Sequence, residues 1–469
     1  MSPVLPLTLP VRPSARPRAV TAVSAPPGHG VRTLLPNGWC TMNELTYDRL
    51  RRRQWLAGEA RADGVDRRTL LRMLAAAGVV AAPALLPPAR AVAATAAAAG
   101  GTAAAAAGPV PGIVKPLPAE WFVPRGTNAE MRWDAVPGTG LHTPNERFFV
   151  RNHTATPLID QASWRLRVHG AGLRGDGAEF SLADLHRLPS HRLSALVECA
   201  GNGRSFYASQ QGQTVPGTPW TLGGIGSAEW RGVRLGDLLR RAGLTHGAVD
   251  VMPSGLDAEY RGADGVSLGR VRRPLPIGKA VDDVLVAYAM NGAPLPADHG
   301  APARLVVPGW VGIASIKWLG EIEVSDQPLY SPWNTDYYRL FGPDHPEGGS
   351  APLITQVVKS AFELGRGAVL APDRVHRLEG RSWSGTAPVR EVEVSTDGGQ
   401  VWRRARLHDV PRRHGWTRWS LDWRPAAPGP YELLARATDR AGHRQPDTAV
   451  FNREGYLFGA VVRHPVTVG

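Results

Sequence analysis

From Ile113 onward the chain breaks into short apolar runs separated by Gly/Pro turns. They include "RLRVHG" (165–170), "LSALVECA" (193–200), "DVLVAYAMNG" (283–292) and "ARLVVPG" (303–309). Runs of this length bounded by turn formers predict mostly short strands. Helical spacing of leucines occurs only briefly, at "LADLHRL" (182–188) and "LGDLLRRAG" (235–243), which gives a mixed α+β unit over 113–350. The pattern changes near Ala351. "REVEVSTDGGQVWRRARL" (390–407) alternates about an Asp397-Gly398-Gly399 turn and predicts a β-hairpin, and "WTRWSLDW" (416–423) and "YELLARATD" (431–439) continue at the spacing of a sandwich. Residues 351–469 therefore read as a small, immunoglobulin-like β-sandwich.

Length supports the division, because 469 residues exceed what one hydrophobic core serves. The formal net charge of +13 is unevenly placed: residues 1–90 carry thirteen Arg, no Lys and five acids, which leaves only +5 for the rest. No long basic block or RNA-binding signature follows, so a nucleic-acid partner is excluded. The basic excess belongs to a leader over 1–93. Arg67-Arg68, then Thr69-Leu70-Leu71, an alanine-rich apolar core and small-residue cleavage sites near Ala91 and Ala93 resemble a twin-arginine export signal. Arg72 interrupts the apolar run and leaves it short of the ~20 residues of a membrane span, so the expectation is a cleaved signal and an exported protein. Residues 1–41 are Pro- and Arg-rich without amphipathic period, and the expected true start is Met42. An Ala/Gly/Pro linker fills 94–112.

The chain has two cysteines, Cys40 and Cys199. If Cys40 is absent from the mature protein, Cys199 in "ALVECAGNGRSFY" stands alone in an oxidising compartment, where an unoccupied thiol is a liability. A nucleophile would need a base, and His191, eight residues earlier, is not placed on the thiol by any local spacing. Zinc would need clustered Cys and His, and c-type haem a C-x-x-C-H, neither of which the sequence contains. Two readings remain: a buried structural cysteine, and a single thiolate on a soft metal whose other ligands come from an organic cofactor. The second fits a glycine-rich turn, in which Gly201 and Gly203 would let the backbone approach a bulky ligand.

"ECAGNGRS" resembles the molybdenum-binding segment of the sulfite oxidase family. The resemblance runs in family order through "RFFVRNH" (147–153), "ECAGNGRS" (198–205), "PWTLGGIGSAEWRGVRL" (219–235) and "AYAMNGAPLPADHGAPARLVVPGWVGIASIKWLGEIEV" (287–324) to the terminal sandwich. It implies a molybdopterin-binding catalytic domain over 113–350, a dimerisation domain over 351–469, and a molybdenum–molybdopterin cofactor. Cys199 would supply the metal thiolate. Arg151, Arg204 and Tyr338, with Tyr337 the near alternative, would line the substrate pocket, and Trp220 matches less tightly. Asn152, His153, His299, Arg304 and Lys317 would hold the pterin. Arginine's fixed donor fork suits a sulfite-like oxyanion. With no haem domain in the chain, electrons would leave to a separate carrier such as an exported cytochrome c or a membrane carrier.

Two positions depart from the pattern. Glu454 stands where animal relatives carry a further substrate arginine, with Arg453 one step away, and Ala314 replaces a frequent arginine in "GIASIK". A carboxylate in the pocket would repel a dianion. The expectation is oxidation of sulfite or a related sulfur oxyanion. The alternatives are reduction of an S- or N-oxide at the same cofactor, and a cofactor-free binding or assembly module.

Overall fold

The computed structural model describes residues 112–262 and 265–469, together with the backbone of a short strand pair, Arg32–Leu34 with Cys40–Met42. The signal segment, its cleavage sites and the linker up to residue 111 lie outside the described residues. Among the described residues no helix is long and apolar enough to cross a membrane.

The apolar runs of the first unit become two five-stranded sheets. One pairs Leu275–Pro276, Asp250–Gly255, Leu319–Ser325, Arg165–His169 and Ala178–Ser181 in that order. The other pairs Ala293–Pro294, Leu285–Met290, Ile225–Arg234 and His191–Glu198, with Arg304–Val306 also on Leu285–Met290. The two expected helices form as Leu182–Arg187 and Leu235–Arg241. Ser181 and Asp184 make a reciprocal capping box at the first, which fixes where it starts. Leu235, Leu238 and Leu239 of the second pack into one core with Val251, Leu305 and Ile322. Helix spacing thus puts three leucines on the buried side and leaves Arg240 and Arg241 near the C-terminus, where the helix dipole favours cations.

The second unit is a two-sheet sandwich. Lys359–Phe362, His376–Trp383, Trp416–Trp423 and Arg406–Leu407 form one sheet, and Ala368–Leu370, His464–Val468, Gly429–Asp439, Val389–Ser395 and Arg403–Arg404 the other. Leu378, Trp419 and Leu421 from the first meet Val392, Val394, Leu433 and Val466 from the second in a single core. The expected hairpin forms only in part. Val394 pairs with Arg403 across the turn, whose backbone N–H groups donate to Asp397 and Ser395, but Arg406–Leu407 crosses to pair with Ser420 and Trp419 of the opposite sheet. Alternation alone does not distinguish the two sheets, because each buries one face.

The two units share long contacts. The Trp133 ring lies 5.9 Å, centroid to centroid, from both Trp383, on which it stacks, and Trp416. The segment after the last long strand returns to the first unit, where Tyr207 Oη donates to the carbonyls of Val450 and Tyr456, and Leu457 N to Ala200 O at 2.8 Å.

Candidate active site

Strand His191–Glu198 carries Cys199 at its end. Cys199 N continues the ladder to Gly224 O at 2.9 Å, and a tight turn follows in which Asn202 N donates to Cys199 O, before helix Ser205–Gln211 begins. Asn202 Oδ1 accepts from Gly224 N at 2.9 Å, so the turn is stapled to the neighbouring loop. Cys199 is half-buried and opens on a cavity walled by residues 148–153, the 298–304 loop, the 312–318 segment, Asp257 and Tyr338.

Arg151 reaches across this cavity and hydrogen-bonds to the Cys199 thiol. Burial works against its charge, but Tyr338, Cys199 and Tyr456 around it prevail, so its pKa rises. Tyr338 adopts a positive φ of 56° and stacks on Tyr456 with centroids 5.1 Å apart. Burial raises the pKa of its hydroxyl, against Arg151, which keeps it a hydrogen-bond donor at neutral pH. Tyr338, and not Tyr337, lines the cavity.

The deeper wall is crowded with cations. Lys317 Nζ donates to Asn152 Oδ1 and to Asp298 O, and lies 4.1 Å from the Trp318 ring centroid. Burial, and then the nearby Arg304 charge, hold its pKa well below the usual lysine value. Arg304 donates to His299 O and Ser315 O at 3.0 Å and faces Trp230, and burial lowers its pKa to about 9. His153 packs against Trp333 and Tyr260 at 4.4 and 5.4 Å. His299 sets its ring against Phe148 and bonds through one nitrogen to the Asn145 backbone, while its buried Nε2 has no partner. Burial first, and then neighbouring cations, depress both imidazoles well below 6.5, so each is neutral at physiological pH. Asp257 is 2% exposed with Oδ1 unpartnered, and burial lifts its pKa to about 6.

Buried polar atoms without partners and cations that repel one another are costly unless a ligand completes them. The set presents donors to an anion, acceptor and donor edges to a flat heterocycle, and one sulfur at the rim.

Residues 153–333 match the oxidoreductase molybdopterin binding domain, and residues 364–468 the Mo-co oxidoreductase dimerisation domain. Sulfite oxidase of Gallus gallus is 38% identical over 335 residues, which span 67% of this chain and 71% of that protein. The chain belongs to the sulfite oxidase family. The mitochondrial sulfite oxidase of Mus musculus is 37% identical over 348 residues, 70% of this chain, and the match spans only 62% of the mouse protein's length. The crystal structure of the sulfane dehydrogenase SoxCD from Paracoccus pantotrophus superposes with a TM-score of 0.61 at 27% identity, covering 73% of this chain and 84% of that one.

The cavity of this family member fits molybdopterin on its own chemistry. His299 Nε2 and Asp257 Oδ1, buried and unpartnered, could bond a pterin edge, and Lys317 and Arg304 would supply positive charge for its phosphate. Asn152 lines the cavity with its polar atoms taken up by protein: its amide donates to Thr156 Oγ1 and Gly112 O while its oxygen accepts from Lys317 Nζ.

Other expected residues lie apart from the cavity wall. Arg204 threads under the turn, with Nε on Glu454 O at 3.1 Å and Nη1 on Thr218 O at 3.0 Å, and its guanidinium lies 5.4 Å from the Tyr456 ring. Trp220 is buried edge-on to Phe149. Gly201 and Gly203 make room for protein rather than for ligand. A Cβ on Gly201 would lie 2.6 Å from the Arg204 guanidinium carbon, and Gly203 has φ +95° with Phe458 against it. Glu454 is half-buried in the Arg204 corner, where burial raises its pKa against the pull of Arg204 and Arg453. The sequence reading missed Asp257 and Asp298. Asp298 adjoins His299 in the "DHG" block, and its carboxylate receives Val114 N, Lys115 N and Thr156 Oγ1, which anchors the cavity loop to the start of the domain.

Proposed function

We propose that this chain is a molybdopterin-dependent oxidoreductase that oxidises sulfite or a related sulfur oxyanion and passes the electrons to a separate carrier such as a cytochrome c. The observation that carries the reading is Arg151, whose guanidinium bonds to the Cys199 thiol and faces Tyr338 inside one cavity. When bound, the molybdenum–pyranopterin group supplies two-electron oxygen transfer. The protein does the rest. Cys199 offers the thiolate that fixes the metal at the rim. Arg151 sets a permanent positive charge beside it and draws an oxyanion toward that rim. Tyr338 keeps its proton and donates a hydrogen bond to the bound anion. His153, His299, Arg304, Lys317 and Asp257 hold the pterin, with the imidazoles neutral, so each can accept as well as donate. Arg204 adds positive potential from behind the turn.

The reading extends to the whole molecule: an immunoglobulin-like second domain joins two chains as a homodimer, and a twin-arginine signal exports the folded, loaded protein. The paired arginines and the sandwich support these two points. The test is metal analysis and turnover of protein made in a host that synthesises the cofactor. About one molybdenum per chain, lost in Cys199→Ser, is expected, as is sulfite-dependent reduction of cytochrome c, with KM raised about 10- to 100-fold in Arg151→Gln. Metal-free, well-folded protein would overturn the reading, as would loaded protein that turns over only S- or N-oxides.

A further inference from the structure

Glu198 immediately precedes Cys199, and its carboxylate is only 3% exposed. Oε1 takes the Lys359 ammonium at 2.8 Å and Asn202 Nδ2 at 3.0 Å, and Oε2 takes Trp383 Nε1 at 3.0 Å. The Lys359 ammonium, 2% exposed, also donates to Asn202 O at 2.6 Å. Lys359 and Trp383 belong to the second domain, where they face each other across the paired strands Lys359–Phe362 and His376–Trp383. Two side chains of the sandwich therefore grip the Cys199 turn on both sides, at the residue before the thiol and at the carbonyl three residues after it.

A buried Lys–Glu pair is a poor way to stabilise an interface, since well-packed apolar side chains of the same volume do as well or better. What the pair provides that an apolar contact would not is direction. Three donors fix both carboxylate oxygens of Glu198, and the ammonium fixes the Asn202 peptide. The Trp383 indole is itself held by its stack on Trp133. We propose that the second domain is a working part of the metal site: Lys359 and Trp383, acting through Glu198 and Asn202, are positioning residues that set the orientation of the Cys199 thiolate. This rests on Cys199 being the protein ligand of the molybdenum.

The experiment uses the full chain from a cofactor-making host and compares Lys359→Met with Lys359→Arg. Lys359→Met is expected to keep its molybdenum, to lose about 10- to 100-fold in kcat with KM unchanged, and to show an altered Mo(V) electron paramagnetic resonance signal. In cofactor-free protein, iodoacetamide alkylation of Cys199, followed on its peptide, should change several-fold. Lys359→Arg restores a substantial part of both. An unchanged signal and an unchanged alkylation rate in folded Lys359→Met would overturn the proposal. Should that variant not fold, the neutral pair Glu198→Gln with Lys359→Gln takes its place: a changed signal and alkylation rate support the clamp, and unchanged ones overturn it. Molybdenum retained in Cys199→Ser would instead remove the ligand reading, a failure separate from that of the clamp.

Discussion

The second domain buries Arg381 and Glu363 at 1% and 7% exposure and closes them on each other, with the rest of the guanidinium on Leu141 O, Thr139 Oγ1 and the Trp416 ring. The cavity of the first domain buries Arg304 and His299 as deeply and half-buries Lys317, yet leaves Lys317 and Arg304 repelling each other and His299 Nε2 without a partner. Both sets take charge out of water, but only the Arg381–Glu363 pair is closed by an opposite charge. A folded chain settles its buried polar groups wherever nothing else will. The cavity set is one that a bound anion would complete, whereas the Arg381–Glu363 pair completes itself.

This contrast is broken most forcefully by removing half of the finished pair. Arg381→Met leaves the Glu363 carboxylate buried without its cation and should cost about 3–5 kcal/mol of unfolding free energy, read by urea denaturation of cofactor-free protein. The same change at the cavity should behave differently. Lys317→Met forfeits hydrogen bonds to Asn152 and Asp298 but also relieves a desolvated, repelled charge, so the two effects offset. We expect cofactor-free stability to move by no more than about 1 kcal/mol, while molybdopterin retention after dialysis falls about 10- to 100-fold. Comparable stability losses in the two variants would erase the distinction.

The finished and unfinished sets were not equally legible from sequence. Cys199, Arg151, His153, His299, Lys317 and Tyr338 stand in local blocks whose order survives along the chain, and the structure brings all six to one cavity. Asp257 sits in "SGLDAEY", where nothing within ten residues marks it, and only the folding of the 312–318 segment beside it makes it a cavity residue. Arg204 was readable as a residue but not as a position, because its path is set by Gly201 in its own turn and by Gly217 and Gly455 from other segments. The Glu198–Lys359 pair spans 161 residues and leaves no periodic trace. Strand periodicity predicted the sandwich but could not say that the chain would change sheets at Arg406, since both sheets bury alternate residues.

A smaller effect follows from acids in one domain and histidines in the other. Burial lifts Asp250 in the first domain to about 8, so its folded pKa exceeds the unfolded 3.8. Its contribution is full below pH 3.8 and is lost as pH rises through 8. His464 in the last strand of the second domain is lowered by burial to about 4, from 6.5. Its contribution is full above pH 6.5 and is lost as pH falls toward 4. The two slopes oppose each other between pH 4 and 6.5, and of these two only Asp250 acts above that window. Lys115, lowered by burial to about 7, acts in the opposite sense above pH 7, so Asp250 is read by difference. Between pH 6.5 and 8 the melting temperature of cofactor-free Asp250→Asn should gain on that of the parent as pH rises. His464→Gln should blunt the loss on the acid side only. The same pH dependence in Asp250→Asn and parent over pH 6.5 to 8 would contradict the assignment for Asp250.

The smallest effect tests the carboxylate beside Arg204, outside the cavity wall. Glu454 holds Arg204 by its backbone carbonyl, so substituting its side chain leaves that hydrogen bond in place. Its carboxylate lies near enough to Arg204 and Tyr456 to act on both electrostatically, and burial already raises its pKa. Ionised, it subtracts one charge from the field that Arg151 and Arg204 present to an incoming anion. Glu454→Gln should thus lower KM for sulfite a few-fold at neutral pH with kcat unchanged, an effect of about 1 kcal/mol at this partly solvated position. A lower pH should narrow the gap between variant and parent as the parent's carboxyl takes up its proton. If Glu454→Gln instead weakens sulfite and the gap is flat with pH, the carboxylate belongs with the finished architecture around Arg204 and not with the substrate field.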